Sequence, residues 1–223
     1  MALVQIEKVT KKYQAGDIEV TALSDINLSI GKSAFVSFVG PSGSGKTTML
    51  NMIGCLDKPS SGKILVDDKQ VDSFNRQKRA AFRGSVIGFI FQSFNLFPVL
   101  TAYENIEYPL VMIKNEPAKD RKQKILSILD SVNMLDQKDK FPDQLSGGQK
   151  QRVAVARALI TQPKLVMADE PTANLDKKSS VNVIRLMHDM KDKFDTTFIF
   201  STHDPRIMDE AETTYTLDDG KLL

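Results

Sequence analysis

The sequence predicts an α/β fold: a mostly parallel sheet, an antiparallel β part at the N-terminus and an inserted helical lobe. Three observations predict it. Apolar runs with the length of buried strands, at 34–39, 86–91, 165–168 and 197–201, alternate with helical stretches, and strands joined by helices pack parallel with helices on both faces. Ahead of them, residues 3–9 and 20–28 alternate in part between apolar and polar around the turn residues Ala15-Gly16-Asp17, as antiparallel strands do. From Ser93 to about Asp143 a helical period takes over, with Ile125, Ile128, Leu129 and Val132 at i, i+3, i+4 and i+7.

Taken in order, the run Ala34 to Val39 leads straight into Gly40-Pro41-Ser42-Gly43-Ser44-Gly45-Lys46-Thr47, a complete G-x-x-x-x-G-K-S/T loop, and Thr48 to Ile53 has the content of a helix. Strand, loop and helix in that order make a nucleotide-phosphate site, so the parallel sheet is expected to be a P-loop NTPase core. Gly40, Gly43 and Gly45 allow successive N–H groups to turn inward, where they meet the positive end of the helix dipole. Lys46 adds a point charge for the β- and γ-phosphates, and the Thr47 hydroxyl is placed to ligate Mg²⁺.

Beyond the loop, residues 62–66 read as a strand, Asp67-Asp68 as a turn, Arg76 to Arg83 as a short basic helix, and Val86 to Phe91 as a buried strand ending at Gln92. Helices are expected around 148–161 and 179–193, and a further strand at 214–217. The strand Leu165 to Ala168 ends in Asp169-Glu170. A strand C-terminus in such a sheet points at the ligand crevice, so Asp169 suits the Mg²⁺ side and Glu170 suits a water that attacks the γ-phosphate. Leu145-Ser146-Gly147-Gly148-Gln149 opens a helix with an N-cap residue and two glycines, and reads as a second anion site.

Composition narrows the class. The 223 residues suffice for one domain with an inserted lobe, and 30 Lys plus Arg against 28 Asp plus Glu leave +2, scattered rather than striped, which does not favour nucleic acid. The single cysteine, Cys55, excludes an internal disulfide and is expected in the core. His188, in mid-helix, is expected at the surface. Residues 1–8 lack the features of a signal peptide and no run approaches a membrane span, so a soluble, cytoplasmic chain is expected.

With both loops in hand, the sequence resembles the ATP-binding subunits of ABC transporters over nearly its whole length, with 1–92 and 151–223 as the nucleotide-binding core and 93–150 as the helical subdomain carrying the signature loop. The resemblance implies ATP and Mg²⁺ as ligands, and a second copy whose signature loop, here Ser146 to Gln149, faces the phosphate loop across a shared ATP. It further implies that Tyr13 stacks adenine, that Gln92 senses Mg²⁺ and the transporter, that the Asn174-Leu175-Asp176 loop communicates across the dimer, and that His203 contacts the γ-phosphate. Ala173-Asn174-Leu175-Asp176 replaces a common Ser-Ala-Leu-Asp, and Lys150 replaces a frequent Gln; both leave the catalytic set intact.

The stretches 89–98, 103–110 and 172–176 are similar to the LolD/MacB/FtsE group. That likeness implies an ATPase that powers lipoprotein release, efflux or cell-wall signalling through a MacB/LolC-type membrane subunit, from the inner face of the cell membrane. Phe94, Leu96, Phe97 and Val99 after Gln92 are read either as lobe core or as a groove for a short helix of that subunit. The alternatives are an FtsEX-like regulatory ATPase and a soluble ABC ATPase of DNA repair or translation, though a zinc module or coiled coil is lacking. A GTPase or small-molecule kinase gives the signature loop no role.

Overall fold

The computed structural model describes residues 1–16 and 18–223; Asp17, part of the expected turn, lies outside the described residues. Strands β1 (Ala2–Ala15) and β2 (Ile18–Gly31) pair antiparallel along their length, longer than the alternating segments because the hairpin ladder continues past the apolar residues. β3 (Phe35–Val39) and helix α1 (Lys46–Ile53) flank the phosphate loop. β4 (Ser61–Val66) returns to pair with β1, and a turn through Asp67 and Asp68, at φ 51° and 58°, leads into β5 (Lys69–Gln70). Two left-handed residues in succession match the right-handed twist of a two-residue hairpin.

Helix α2 (Arg76–Val86) is capped by Asn75, whose side chain accepts from the Lys78 amide, and runs directly into β6 (Ile87–Ile90). Val86 therefore closes a helix rather than opening the strand, because its buried side chain serves either periodicity. Residues 91–101 cross to the lobe without regular structure, and α3 (Ala102–Pro109) begins with a full capping box between Thr101 and Glu104. Then come α4 (Ala118–Ser131), α5 (Gly147–Leu159), β7 (Leu165–Ala168), α6 (Lys177–Phe194), β8 (Thr197–Ser201), α7 (Pro205–Met208), β9 (Thr213–Asp218) and β10 (Lys221–Leu222).

Two sheets result, an antiparallel one in the order β2-β1-β4-β5 and a mostly parallel one in the order β10-β9-β3-β8-β7-β6. Among the described residues, only the β9–β10 pairing in the second is antiparallel. The parallel sheet divides two cores with a strict period of two. Phe35, Val166, Ala168, Phe198 and Phe200 face helices α3 to α6, while Val36, Phe38, Leu165, Met167 and Ile199 face α1 and the antiparallel sheet. Each of these aromatic side chains is fully buried, a contribution of about 1.5–3 kcal/mol apiece.

Ile125, Ile128 and Leu129 of α4 and Val132 beyond it are all buried in the first core. Cys55 is buried in the second, and burial pushes its thiol up to about 11. His188 is half-buried rather than fully exposed. Its ring stands edge-on to Phe35 at 5.0 Å and its Nε2 lies 3.4 Å from the Glu212 carboxylate, because α6 crosses the start of β3. The parallel register brings the C-terminal ends of β3, β8, β7 and β6 side by side, so the segments after Val39, Ser201, Ala168 and Ile90 share one edge.

Candidate nucleotide site

The phosphate loop leaves β3 at Gly40 and enters α1 at Lys46. Gly40 and Gly45 sit at φ 144° and 104°; a Cβ at Gly40 would come 2.0 Å from the Leu217 carbonyl oxygen, and one at Gly45 would come 2.7 Å from that of Ala22. The loop's path thus requires glycine. Gly45 is the N-cap of α1 without a side-chain cap, and no acidic residue stands in the first turn, so the leading amides carry no side-chain anion. Ser44 Oγ is buried in the loop with no hydrogen-bond partner among the described residues. Lys46, also buried, donates from Nζ to the carbonyls of Gly40 and Pro41, each at 2.8 Å, which folds its ammonium back over the loop. An anion is what these donors lack.

The carboxylates arrive from the neighbouring strand ends. Thr47 Oγ1 donates to Asp169 Oδ1 at 3.2 Å, joining the loop to the end of β7. Ser201, fully buried at the end of β8, donates to the same Asp169 oxygen at 2.7 Å and accepts the Glu170 amide at 2.9 Å. This serine fixes both acids. In the sequence Ser201 is only the last residue of a buried strand, since the β7–β8 register alone reveals what its hydroxyl reaches. Glu170 adopts φ 43°, and its Oε1 lies 3.1 Å from His203 Nδ1 beside a crevice of about 200 Å³.

Gln92 is exposed just past β6, and its carbonyl accepts from Asn174 Nδ2 at 2.9 Å. Asp176 is the N-cap of α6, accepting from the amides of Lys178 and Ser179 and from the Ser179 hydroxyl, bonds that hold its carboxyl below the usual range. Ser146 caps α5 in a reciprocal box, its Oγ accepting from the Gln149 amide while Gln149 Oε1 accepts from the Ser146 amide. Gly147 and Gly148 lie against Leu175 and Ser179, where a Cβ would meet them at 3.2 and 3.3 Å. Ser146 to Gly148 are thus packed on the start of α6 and are not joined to this chain's own phosphate loop by any hydrogen bond among the described residues.

A model of the ABC transporter family matches residues 23–173. The chain belongs to that family. It is 40% identical to an uncharacterized ABC transporter ATP-binding protein of Methanocaldococcus jannaschii, covering 99% of this chain and 95% of that one. The lipoprotein-releasing system ATP-binding protein LolD of Francisella tularensis is also 40% identical, with 99% and 95% covered. The macrolide export ATP-binding/permease protein MacB of Syntrophobacter fumaroxidans is 40% identical too, but this chain spans 31% of its length. A dimeric post-hydrolysis structure of the cassette MJ0796 bound to ADP and Pi superposes with a TM-score of 0.89 at 39% identity, covering 98% of this chain and 96% of that one.

This ABC cassette is therefore an ATPase, the ATP-binding subunit of a transporter. Its α/β architecture with a P-loop core is the one the sequence predicts. Tyr13 stands on β1, 39% exposed, with its hydroxyl donating to Asp57 Oδ2 at 2.8 Å and the Lys11 ammonium 4.6 Å from its ring centroid. Burial and then the Asp57 carboxylate push the Tyr13 hydroxyl above its ordinary range. Burial would also raise Asp57, but hydrogen bonds from Lys11, the Lys58 amide and Tyr13 outweigh it and hold the carboxyl low.

Oxygen donors of the hard kind, Thr47 Oγ1 and Asp169 Oδ1, stand 3.2 Å apart and fit Mg²⁺. The described residues contain no cluster of three His, Cys, Asp or Glu side chains that could hold a metal ion.

Proposed function

We propose that this cassette drives a MacB/LolC-type membrane subunit, working as a pair of copies that close on two ATP molecules and hydrolyse them to reset. The substrate is a lipoprotein being released or a peptide- or drug-like molecule being exported, and it is chosen by the membrane subunit. The carrying observation is an apolar groove beside the Gln92 segment. Cavities of about 630 and 310 Å³ share Gly84, Ile87, Phe89 and Ile113, and extend to Phe97, Tyr108 and Met112. Its charged lining residues are Arg83, Lys114 and Arg157, all cationic. Exposed apolar side chains of this extent suit a short amphipathic helix. Of the segment after Gln92, Phe97 lines the groove, whereas Leu96 packs on the core between the parallel sheet and α3 to α6.

At the nucleotide, loop amides between Ser42 and Thr47 and the Lys46 ammonium bind the phosphates, with Lys46 exchanging its two loop carbonyls for phosphate oxygens. Thr47 and Asp169 would hold Mg²⁺, which would supply positive charge to offset that of the phosphates. Glu170 orients and deprotonates the attacking water, and His203 holds Glu170 and reaches the γ-phosphate. Gln92 would add a ligand from just past β6, and Asn174 ties its carbonyl to the Asp176 loop. Ser146 to Gln149 and Asp176 complete the site on the second copy. No helix of the described residues is long and apolar enough to cross a membrane, which suits a peripheral position on the inner membrane face.

Reconstitution with a four-span subunit of the MacB/LolC type in lipid nanodiscs tests this reading. Formation of a stable complex with stimulated ATP hydrolysis is expected. Failure to assemble with that type, or assembly with an FtsX-type subunit alone, would contradict it.

A further inference from the structure

We infer that Asp57 is a positioning residue for the nucleobase, holding the Tyr13 ring at a fixed height above the phosphate loop. The inference rests on the reading of Tyr13 as the stacking residue. Asp57 follows α1, the helix that the phosphate loop opens, and its own amide and that of Leu56 donate to the Asn51 carbonyl at 3.1 and 2.8 Å. The carboxylate is thereby anchored to the same helix that presents Lys46 and Thr47. From there Oδ2 accepts the Tyr13 hydroxyl at 2.8 Å, while Oδ1 accepts Lys11 Nζ at 2.9 Å and the Lys58 amide at 2.7 Å. Lys11 donates in addition to the Lys58 carbonyl at 2.8 Å.

The consequence is geometric. A tyrosine on a strand is ordinarily free about two side-chain torsions, and stacking pays that freedom back out of its binding energy. Here one end of the ring is tied by its oxygen, and one ring face is covered by an ammonium 4.6 Å from the centroid. A purine is left a single face. Because the tie runs to α1, the strand that carries Tyr13 is fastened to the helix that carries Lys46 and Thr47, and the span between base and triphosphate is set before nucleotide arrives. The hydroxyl thus acts on base binding although it touches no part of the nucleotide.

Calorimetry with ATP and with inorganic tripolyphosphate, both with Mg²⁺, tests the assignment. Tyr13→Ala is expected to lose roughly 5- to 150-fold in ATP affinity, the range for a stacked base, with tripolyphosphate affinity unchanged. Asp57→Ala should lose about tenfold for ATP and for GTP, again without changing tripolyphosphate, and the double variant should lose no more than Tyr13→Ala. Parent-like ATP affinity in Asp57→Ala beside a weakened Tyr13→Ala would overturn the role of Asp57 and leave stacking standing. Parent-like affinity in Tyr13→Ala would overturn the stacking itself. Equal losses for tripolyphosphate would place Asp57 in support of the phosphate loop and overturn the inference as well. If Asp57→Ala does not fold, Tyr13→Phe decides: a several-fold loss for ATP alone supports the tie, and parent-like affinity removes it.

Discussion

Nδ1 of His203 lies 3.1 Å from Oε1 of Glu170, so the strand ends of β7 and β8 meet in a histidine–carboxylate pair. The Glu170 amide is fixed by Ser201, and Glu170 lines a crevice with Thr202, His203 and Asp204. A base held at both ends is suited to a water rather than to nucleotide. Glu170→Gln should keep ATP affinity while turnover falls by roughly 10²–10⁴-fold, the usual weight of a positioned base. Phosphate release measured under saturating ATP checks this, and rates near those of the parent chain would exclude Glu170 as the base.

Lys46 behaves differently because its bonds to the Gly40 and Pro41 carbonyls must be replaced by bonds to phosphate. A charge-assisted hydrogen bond is worth about 1.5–3 kcal/mol, so Lys46→Ala should bind ATP some ~10- to 100-fold more weakly. Titration calorimetry reads this directly. Unchanged affinity would mean that Lys46 acts only after binding.

Phe97 is 40% exposed, and its ring leans on Tyr108 at 4.7 Å along the groove. Its backbone is held independently, the amide donating to Asn105 Oδ1 and the carbonyl accepting from Asn105 Nδ2. Phe97→Asp should therefore shift the melting temperature by no more than about 2 °C, as surface changes do, and leave nucleotide binding intact. Assembly with the membrane subunit should be lost. An unfolded variant would make Phe97 a core residue, and normal assembly would dismiss the groove.

Glu212, just before β9, bonds to α6 through Lys191 and to β3 through the Phe35 amide. Burial would raise its carboxyl, but the Lys191 hydrogen bond, the Phe35 amide and the charges of Lys191 and His188 hold it low. A carboxyl depressed in the folded chain stabilises above its unfolded value of about 4.3, and that contribution drains away as pH falls through the folded value. Glu212 is partly open to solvent, so screening limits the contribution to about 1 kcal/mol. Urea titrations of Glu212→Gln against the parent should show that gap at pH 7 and its loss below about pH 4. A gap that persisted in acid would assign the effect to packing instead.

The fold was legible wherever one periodicity dominated. The buried strands 165–168 and 197–201 and the helix around Ile125 to Leu129 declared themselves by content and spacing. Short elements did not: β5 and β10 are two residues each, too brief for any pattern. In the site, residues carrying their chemistry in a contiguous motif could be read, as in the phosphate loop and Asp169-Glu170. Residues acting through distant partners could not. Ser201 reaches Asp169 across a strand pair, Asp57 reaches Tyr13 across two elements, and Arg157 on α5 donates to the carbonyls of Phe94 and Asn95, two left-handed residues of the Gln92 segment. Burial lowers the Arg157 guanidinium to about 10, which a sequence pattern does not register.

The second anion cradle, capped by Ser146, is proposed to serve the ATP of another copy. Sedimentation of Glu170→Gln with MgATP should give a dimer that reverts to monomer when nucleotide is removed. In the same background, Ser146→Arg should bind ATP with parent affinity yet remain a monomer at every ATP concentration; a normal ATP-dependent dimer of that double variant would contradict the shared site.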